Sequence, residues 1–302
     1  MAGFRVFRTA AMVAGAVGGL SSAAYGLLMA QSERARIVIG EPASPPLNAD
    51  GVYLPDGSGP QPPATNVLSI IGPEPLRFAV LGDSSAAGLG VDLASQLPGV
   101  LLAKAVAEEA GRAVLLTTYA ISGATTPELS GQVDLALADP PDVALVIIGA
   151  NDVSERVSMR GSARLLGVQL ARLRAAGAAV VMGTCPDLGT IRPIPQPLRR
   201  LVGTWSLMLA RAQRRAVLRA DCTPVALAEL LSPEFFARPE DLFSPDRFHP
   251  NAAGYEAAVS ILLAPLCVAV GVWTPRPEAV ASTPIPLRRS VPAVGRTSLA
   301  AG

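Results

Sequence analysis

Ser84 follows an apolar run, Phe78-Ala79-Val80-Leu81, and sits among residues too small to cover it: Gly82, Asp83, then "SAAGLG" through Gly90. A serine hydroxyl is a poor nucleophile until a neighbouring imidazole takes its proton. The chain has one histidine, His249, and Asp246 stands three residues before it. A carboxylate at that spacing can meet the imidazole through a local turn, fix its tautomer and stabilise its charged form. Acyl transfer by such a set needs donors for the oxyanion of the tetrahedral intermediate. The Ser84 N–H, the Gly123 N–H in "AISGATT" and the side-chain amide of Asn151 in "GANDV" are the candidates.

These residues depend on elements that hold them. "RFAVLG" reads as a strand, "AVLLTTYA" (113–120) as a second, "DVALVIIGA" (142–150) as a third and "AAVVMGT" as a fourth. The third run is almost continuously apolar, as a strand covered on both faces is. Helical segments fall between them, one ending at Gly111, one closed by Gly177, a long one around 198–219 and a last one from Asn251 to about Val270. Such alternation predicts a mostly parallel sheet with helices on both faces, a flavodoxin-like three-layer α/β/α sandwich. In such sheets ligands bind beyond the carboxyl ends of the strands. Ser84, Gly123 and Asn151 each follow a strand, and Asp246 and His249 lie in the loop before the last helix.

Each residue also has a plainer reading. Ser84 can cap a helix, His249 can bond a loop carbonyl, Asp246 can cap a turn, and Asn151 can serve a left-handed turn. Asp83 and Asp152 read as loop braces, Ser122 has no clear part in the chemistry, and Arg192, Arg199 and Arg200 either line the entrance or, by default, are solvated. The combination favours catalysis over a binding module that holds an anion at the helix after Ser84.

Length and composition narrow the classes. The chain has 302 residues, 50% hydrophobic and 4% aromatic, with a net charge of +1 and Lys104 as its sole lysine. No basic stripe suggests a nucleic-acid partner. One histidine and three cysteines without CxxC spacing argue against a zinc site, and no cofactor is expected. Outside the cytoplasm a Cys185–Cys222 disulfide becomes possible, with Cys267 free. From Thr9 to Ala30 no residue is charged over 22 positions, and Arg5 and Arg8 precede that stretch. About 20 apolar residues cross a bilayer as a helix, so the expectation is an uncleaved anchor with the rest of the chain outside. A cleaved signal peptide is the alternative. Gly15 and Gly19 form a GxxxG pair of little weight in so Gly/Ala-rich a segment. The expected organisation is an anchor over 1–31, a Pro/Gly-rich linker over 32–75, a catalytic domain over 76–272 and a loose tail over 273–302.

Four blocks, "GDSSAAGLG", "ISGATT", "GANDV" and "DRFHP", occur in this order. Together they resemble the SGNH hydrolase superfamily, the GDSL-type esterases and lipases, over roughly Arg77 to Val270. That resemblance implies Ser84 as nucleophile, His249 as general base and Asp246 as its orienter. It implies an oxyanion hole from the Ser84 and Gly123 amides and Asn151. The first block reads GDSS where the family has GDSL, and GxSxG of the α/β-hydrolases is absent. The expected activity is hydrolysis of carboxylic esters with short or medium acyl groups, lipid esters included, by a membrane-anchored extracytoplasmic enzyme. An envelope sugar O-deacetylase or acyltransferase is the alternative. Loops 186–197 and 231–243, rich in proline and apolar residues, are expected to shape the acyl pocket. The imidazole's ordinary pKa, about 6.5, predicts an acidic limb to the activity.

Overall fold

The computed structural model describes residues 22–40, 44–62, 74–155 and 157–274. Six strands form one sheet: β1 (Gly51–Tyr53), β2 (Leu76–Gly82), β3 (Val114–Thr118), β4 (Val143–Ile147), β5 (Ala179–Gly183) and β6 (Thr223–Val225), in the order β1-β3-β2-β4-β5-β6. All pairs are parallel except β1 with β3. Counted from β2, the parallel strands run 2-1-3-4-5, the flavodoxin order, and the switch in direction falls between β2 and β4. The nucleophile candidate therefore emerges where this topology opens a crevice.

Strand alternation sorts the core into two layers. Phe78, Val80, Val143 and Leu145 face α3 (Pro98–Ala110) and α10 (Ala252–Ala269), packing with Val100, Leu262 and Leu266. Ala79, Leu81, Ala144 and Val146 face α4 (Leu129–Ala136), α6 (Met159–Ala175) and α7 (Leu198–Arg219), packing with Val133, Leu170 and Val217. Between these lie the short α2 (Ser84–Ala87), α5 (Ala150–Ser154), α8 (Leu227–Ala237) and α9 (Pro239–Leu242).

Two features differ from the sequence expectation. Part of the stretch read as linker is built into the sheet: Gly51–Tyr53 pairs with Val114–Leu116, and Asp50 accepts from the Thr118 amide at 3.0 Å. A three-residue edge strand between turn formers leaves too short a pattern to read. The expected membrane segment Thr9–Ala30 falls largely outside the described residues. Its end belongs to α1 (Ser22–Ile39), where Leu28, Ala35 and Ile39 are buried in a cluster with Ile194, Leu198 and Val202. Gln31 accepts from the Leu198 amide at 3.1 Å, tying α1 to the start of α7. Among the described residues one helix, Ala252–Ala269, is long and apolar enough to cross a membrane by length and composition. In this fold its Leu262, Leu266 and Cys267 pack into the core. Cys185, Cys222 and Cys267 are all buried free thiols, so the optional Cys185–Cys222 disulfide is not formed.

Candidate active site

The site is assembled from four loops at the carboxyl edge of the sheet. Gly82 ends β2 at φ 137°, and a Cβ there would lie 1.8 Å from the Ile147 carbonyl oxygen. Only glycine lets β2 turn that close to β4. Gln132 on α4 clamps the Gly82 peptide from behind, accepting from its N–H at 2.7 Å and donating to its carbonyl at 2.8 Å. Asp83 caps α2 by accepting from the Ser85 amide at 2.9 Å. Ser84 is thus the first helical residue, 7% exposed, with its amide at an open helix N-terminus.

His249 comes from the loop before α10. Its Nε2 lies 3.0 Å from the Ser84 Oγ, and its Nδ1 lies 2.7 Å from Asp246 Oδ2. The other carboxylate oxygen of Asp246 accepts from the Ser244 hydroxyl at 2.7 Å and from the Phe248 and His249 amides at 2.8 and 2.9 Å. Burial alone would raise this carboxyl. The hydrogen bond and charge of His249, with the two amides, outweigh it and hold the group down at about 2. Arg247, at φ 57°, takes the left-handed backbone that folds the aspartate back under the imidazole. The Phe248 ring stands edge-on to the imidazole at 4.8 Å. Two further links hold this loop against the Ser84 loop. Gly90 leaves room for it, since a Cβ would meet the Pro250 carbonyl at 2.4 Å, and Tyr255 on α10 donates to the Leu89 carbonyl at 2.8 Å.

Gly123 lies at φ 83° in the loop after β3, and Asn151 is in the first turn of α5 after β4. Asn151 is 5% exposed and donates one side-chain N–H to the Ala124 carbonyl at 2.9 Å. A primary amide has two such hydrogens, so one remains. The Ser84 and Gly123 amides have no hydrogen-bond partner among the described residues. Asp83 and Asp152 brace loops, as their sequence reading expects: Asp152 accepts from the Thr126 amide and, at 2.9 Å, from its hydroxyl. Burial, with repulsion from Asp152, raises Asp83 to about 6, and burial raises Asp152 to about 6 against the Thr126 hydrogen bonds.

A cavity of about 100 Å³ opens beside Ser84 and His249, walled by Ile147, Leu227, Leu231, Phe235, Phe243 and Leu262. Both loops expected to shape it contribute, Leu188 and Ile191 from the first and Leu231, Phe235 and Phe243 from the second. The contribution of α10 through Tyr255, Ala258 and Leu262 was not legible, because an apolar helix face gives no sign of whether it meets core or cavity. Gln132 and Ser244 were also missed. Ser244 carried a faint signal, a hydroxyl two residues before the aspartate. Among the described residues no arginine lines the cavity, and Arg192 donates to the Phe236 carbonyl at 3.1 Å. Among the described residues no group of three or more His, Cys, Asp or Glu is placed to hold a metal ion.

A nucleophile-sized hydroxyl, an imidazole, a carboxylate and unspent amides around one apolar cavity can support acyl transfer. Comparison with known proteins points the same way. Residues 80–257 match the GDSL-like lipase/acylhydrolase family. A GDSL-like esterase of Mycobacterium tuberculosis is 44% identical over 254 residues, covering 82% of this chain and 79% of that one. Among solved structures, the lipase/acylhydrolase from Enterococcus faecalis superposes with a TM-score of 0.53 at 18% identity, over 67% of this chain and 99% of that one. A G-D-S-L family lipolytic protein from Veillonella parvula gives 0.50 at 14% identity, over 63% and 97%. These two speak for the fold.

Proposed function

The chain belongs to the GDSL-like lipase/acylhydrolase family and is an esterase of that kind, and from that premise we propose that it cleaves carboxylic esters of short acyl groups through Ser84, His249 and Asp246. The observation that carries this reading is the unbroken line from Asp246 to His249 Nδ1 and from His249 Nε2 to the Ser84 hydroxyl, at 2.7 and 3.0 Å. Ser84 Oγ attacks the ester carbonyl carbon while His249 Nε2 takes its proton. The carbonyl oxygen gains the electron pair and is received by the Ser84 and Gly123 amides and the free N–H of Asn151. Collapse breaks the bond to the alcohol oxygen, which leaves with the proton from His249. Water, deprotonated by the same imidazole, then releases the acid and restores the serine. Each oxyanion donor in such a hole is worth about 3 kcal/mol, or 100- to 1000-fold in rate.

The space beside Ser84 is small and apolar, about 100 Å³, and a short acyl group fits it. An acetyl group on an envelope sugar fits the same cavity, which keeps a sugar O-deacetylase as the second reading. A bare anion-binding module has no use for His249 held by Asp246. The chemistry is tested with p-nitrophenyl acetate, butyrate, octanoate and palmitate, alongside an acetylated sugar. We expect rates to fall beyond butyrate, and Ser84→Ala to abolish both turnover and fluorophosphonate labelling. Unchanged turnover in Ser84→Ala would defeat the assignment.

We further propose an extracytoplasmic, membrane-anchored placement, supported by the uncharged stretch Thr9–Ala30 behind Arg5 and Arg8. In this reading the catalytic unit over 76–272 is joined by β1 and by α1, whose first residues, Ser22–Ala30, are also the end of the uncharged stretch, with the tail over 273–302 behind. Cell fractionation with N-terminal sequencing of the recovered protein tests it. Recovery in the cytosol with an intact N-terminus would refute it.

A further inference from the structure

The three oxyanion donors come from three different loops, and the backbone bonds between those loops, Ile121 to Gly82 at 3.1 Å and Asp83 to Ile147 at 3.0 Å, lie before the donors themselves. Ser84 follows β2, Gly123 follows β3 and Asn151 follows β4. A set of buried side chains crosses between them. Asp152, the neighbour of Asn151, receives the Thr126 amide at 3.2 Å and the Thr126 hydroxyl at 2.9 Å. The Ser162 hydroxyl, on α6, donates to the Thr126 oxygen at 3.0 Å and completes that knot from below. Asn151 itself donates to the Ala124 carbonyl. The loop after Gly123 is therefore gripped at Ala124 and at Thr126 by two consecutive residues of α5. On the other side, the Asp83 carboxylate holds the Ser85 amide at 2.9 Å and its own amide donates to the Ile147 carbonyl at 3.0 Å, tying the Ser84 turn to the end of β4. Asp83, Thr126, Asp152 and Ser162 are all at most 3% exposed.

We propose that Asp152 is a positioning residue of the oxyanion hole, joining the Gly123 loop to the Asn151 turn through Thr126, while Asp83 holds the Ser84 turn through the Ser85 amide. The proposal rests on the donor assignment made above. Burying two carboxylates this close is costly, and hydrogen bonds from neutral amides and hydroxyls answer the charge without a cation. What they hold in register is the spacing of the three donors. Ala124 also fixes which way the Asn151 amide faces, leaving its second hydrogen for the oxyanion. A donor set loosened by about 1 Å loses rate on the order of 100-fold, because preorganisation is what makes such donors effective.

The test uses the full chain and the variants Asp152→Asn, Thr126→Val, Thr126→Ser and Asn151→Ala. Measured for each are kcat and KM on p-nitrophenyl acetate, thermal unfolding, and inhibition by an aryl trifluoromethyl ketone, whose adduct with Ser84 places an oxyanion in the hole. Asp152→Asn and Thr126→Val should lower kcat about 10- to 100-fold with KM within about twofold. The ketone should weaken by the same factor, and Thr126→Ser should regain most of what Thr126→Val loses. If Asp152→Asn does not fold, Thr126→Val, which removes only the hydroxyl, decides alone. Loss of activity merely in proportion to the unfolded fraction, with ketone affinity intact, overturns the proposal. So does wild-type turnover in both variants while Asn151→Ala is slow. If Asn151→Ala is itself unaffected, the donor assignment fails and the brace with it.

Discussion

Asp246 is the most heavily bonded polar group at the site: one oxygen takes three donors and the other takes the imidazole. That saturation lets it stay charged while partly buried, and in the proposed mechanism a charged partner stabilises the imidazolium that forms during attack. Asp246→Asn keeps the shape but presents an N–H where an acceptor is needed. We expect kcat to drop about 10⁴-fold, the size seen for the equivalent change in a serine protease, with fluorophosphonate labelling slowed in parallel. Ser244→Ala removes a single neutral donor of about 1 kcal/mol, so its effect should be severalfold only. A Ser244→Ala loss as large as that of Asp246→Asn would mean the loop collapses and the hydroxyl is a fold determinant.

Among the elements, two glutamines do comparable tasks at strand ends. Gln132 from α4 clamps the Gly82 peptide, and Gln213 from α7 accepts from the Cys185 amide at 2.7 Å and donates to the Ile148 carbonyl at 2.9 Å. Where strands part to open a crevice some backbone groups lose their strand partner, here the Gly82 N–H, and a helix side chain takes it up. Gln132→Ala leaves the buried Gly82 N–H unpaired, at about 1–3 kcal/mol. The melting temperature should then fall by about 3–10 °C, read by calorimetry; no change would show that water replaces the side chain. The helices α8 and α10 wall the cavity, and Leu231 is a half-buried part of that wall. Leu231→Ala should shift the preferred p-nitrophenyl ester to a longer acyl chain without loss on acetate. A profile that does not move would place the acyl group elsewhere. Four central strands and the main helices were readable from apolar runs and their punctuation, while the short edge strand β6 was not. The β1 edge strand was not either, because three residues carry no periodic signal.

At the scale of the whole molecule, the buried carboxylates tie stability to pH in two opposed ways. Asp83 and Asp152 go from an ordinary 3.8 to about 6 in the fold. Folding thus favours their protonated forms: that stability is complete below about pH 4 and is lost as pH rises through about 6. Asp246 goes from 3.8 to about 2, so its contribution is present above 3.8 and lost as pH falls toward 2. The melting temperature should therefore decline between pH 4 and 7, and the decline should be shallower in Asp152→Asn, which cannot ionise. Equal slopes in the two proteins would mean that solvent reaches Asp152. The docking of α1 also belongs to this scale. Ala35 is fully buried against the domain, so Ala35→Asp should lower the melting temperature through an unpaired buried charge. An unaltered melting curve would indicate that α1 comes away at little cost.

Residue types and their order were enough to single out the groups proposed to react: one serine after a strand, one histidine, an aspartate three residues earlier, and small or amide residues after the other strands. They were enough for the parallel α/β architecture too, since both follow from local pattern and chemical scarcity. Everything set by approach between distant segments required the folded chain. The meeting of His249 with Ser84, the clamp of Gln132, the grip of Asp152 on Thr126, the cavity beneath α8 and α10 and the return of α1 onto α7 all depend on which surfaces face each other. That is a property of three-dimensional packing, and no short stretch of sequence carries it.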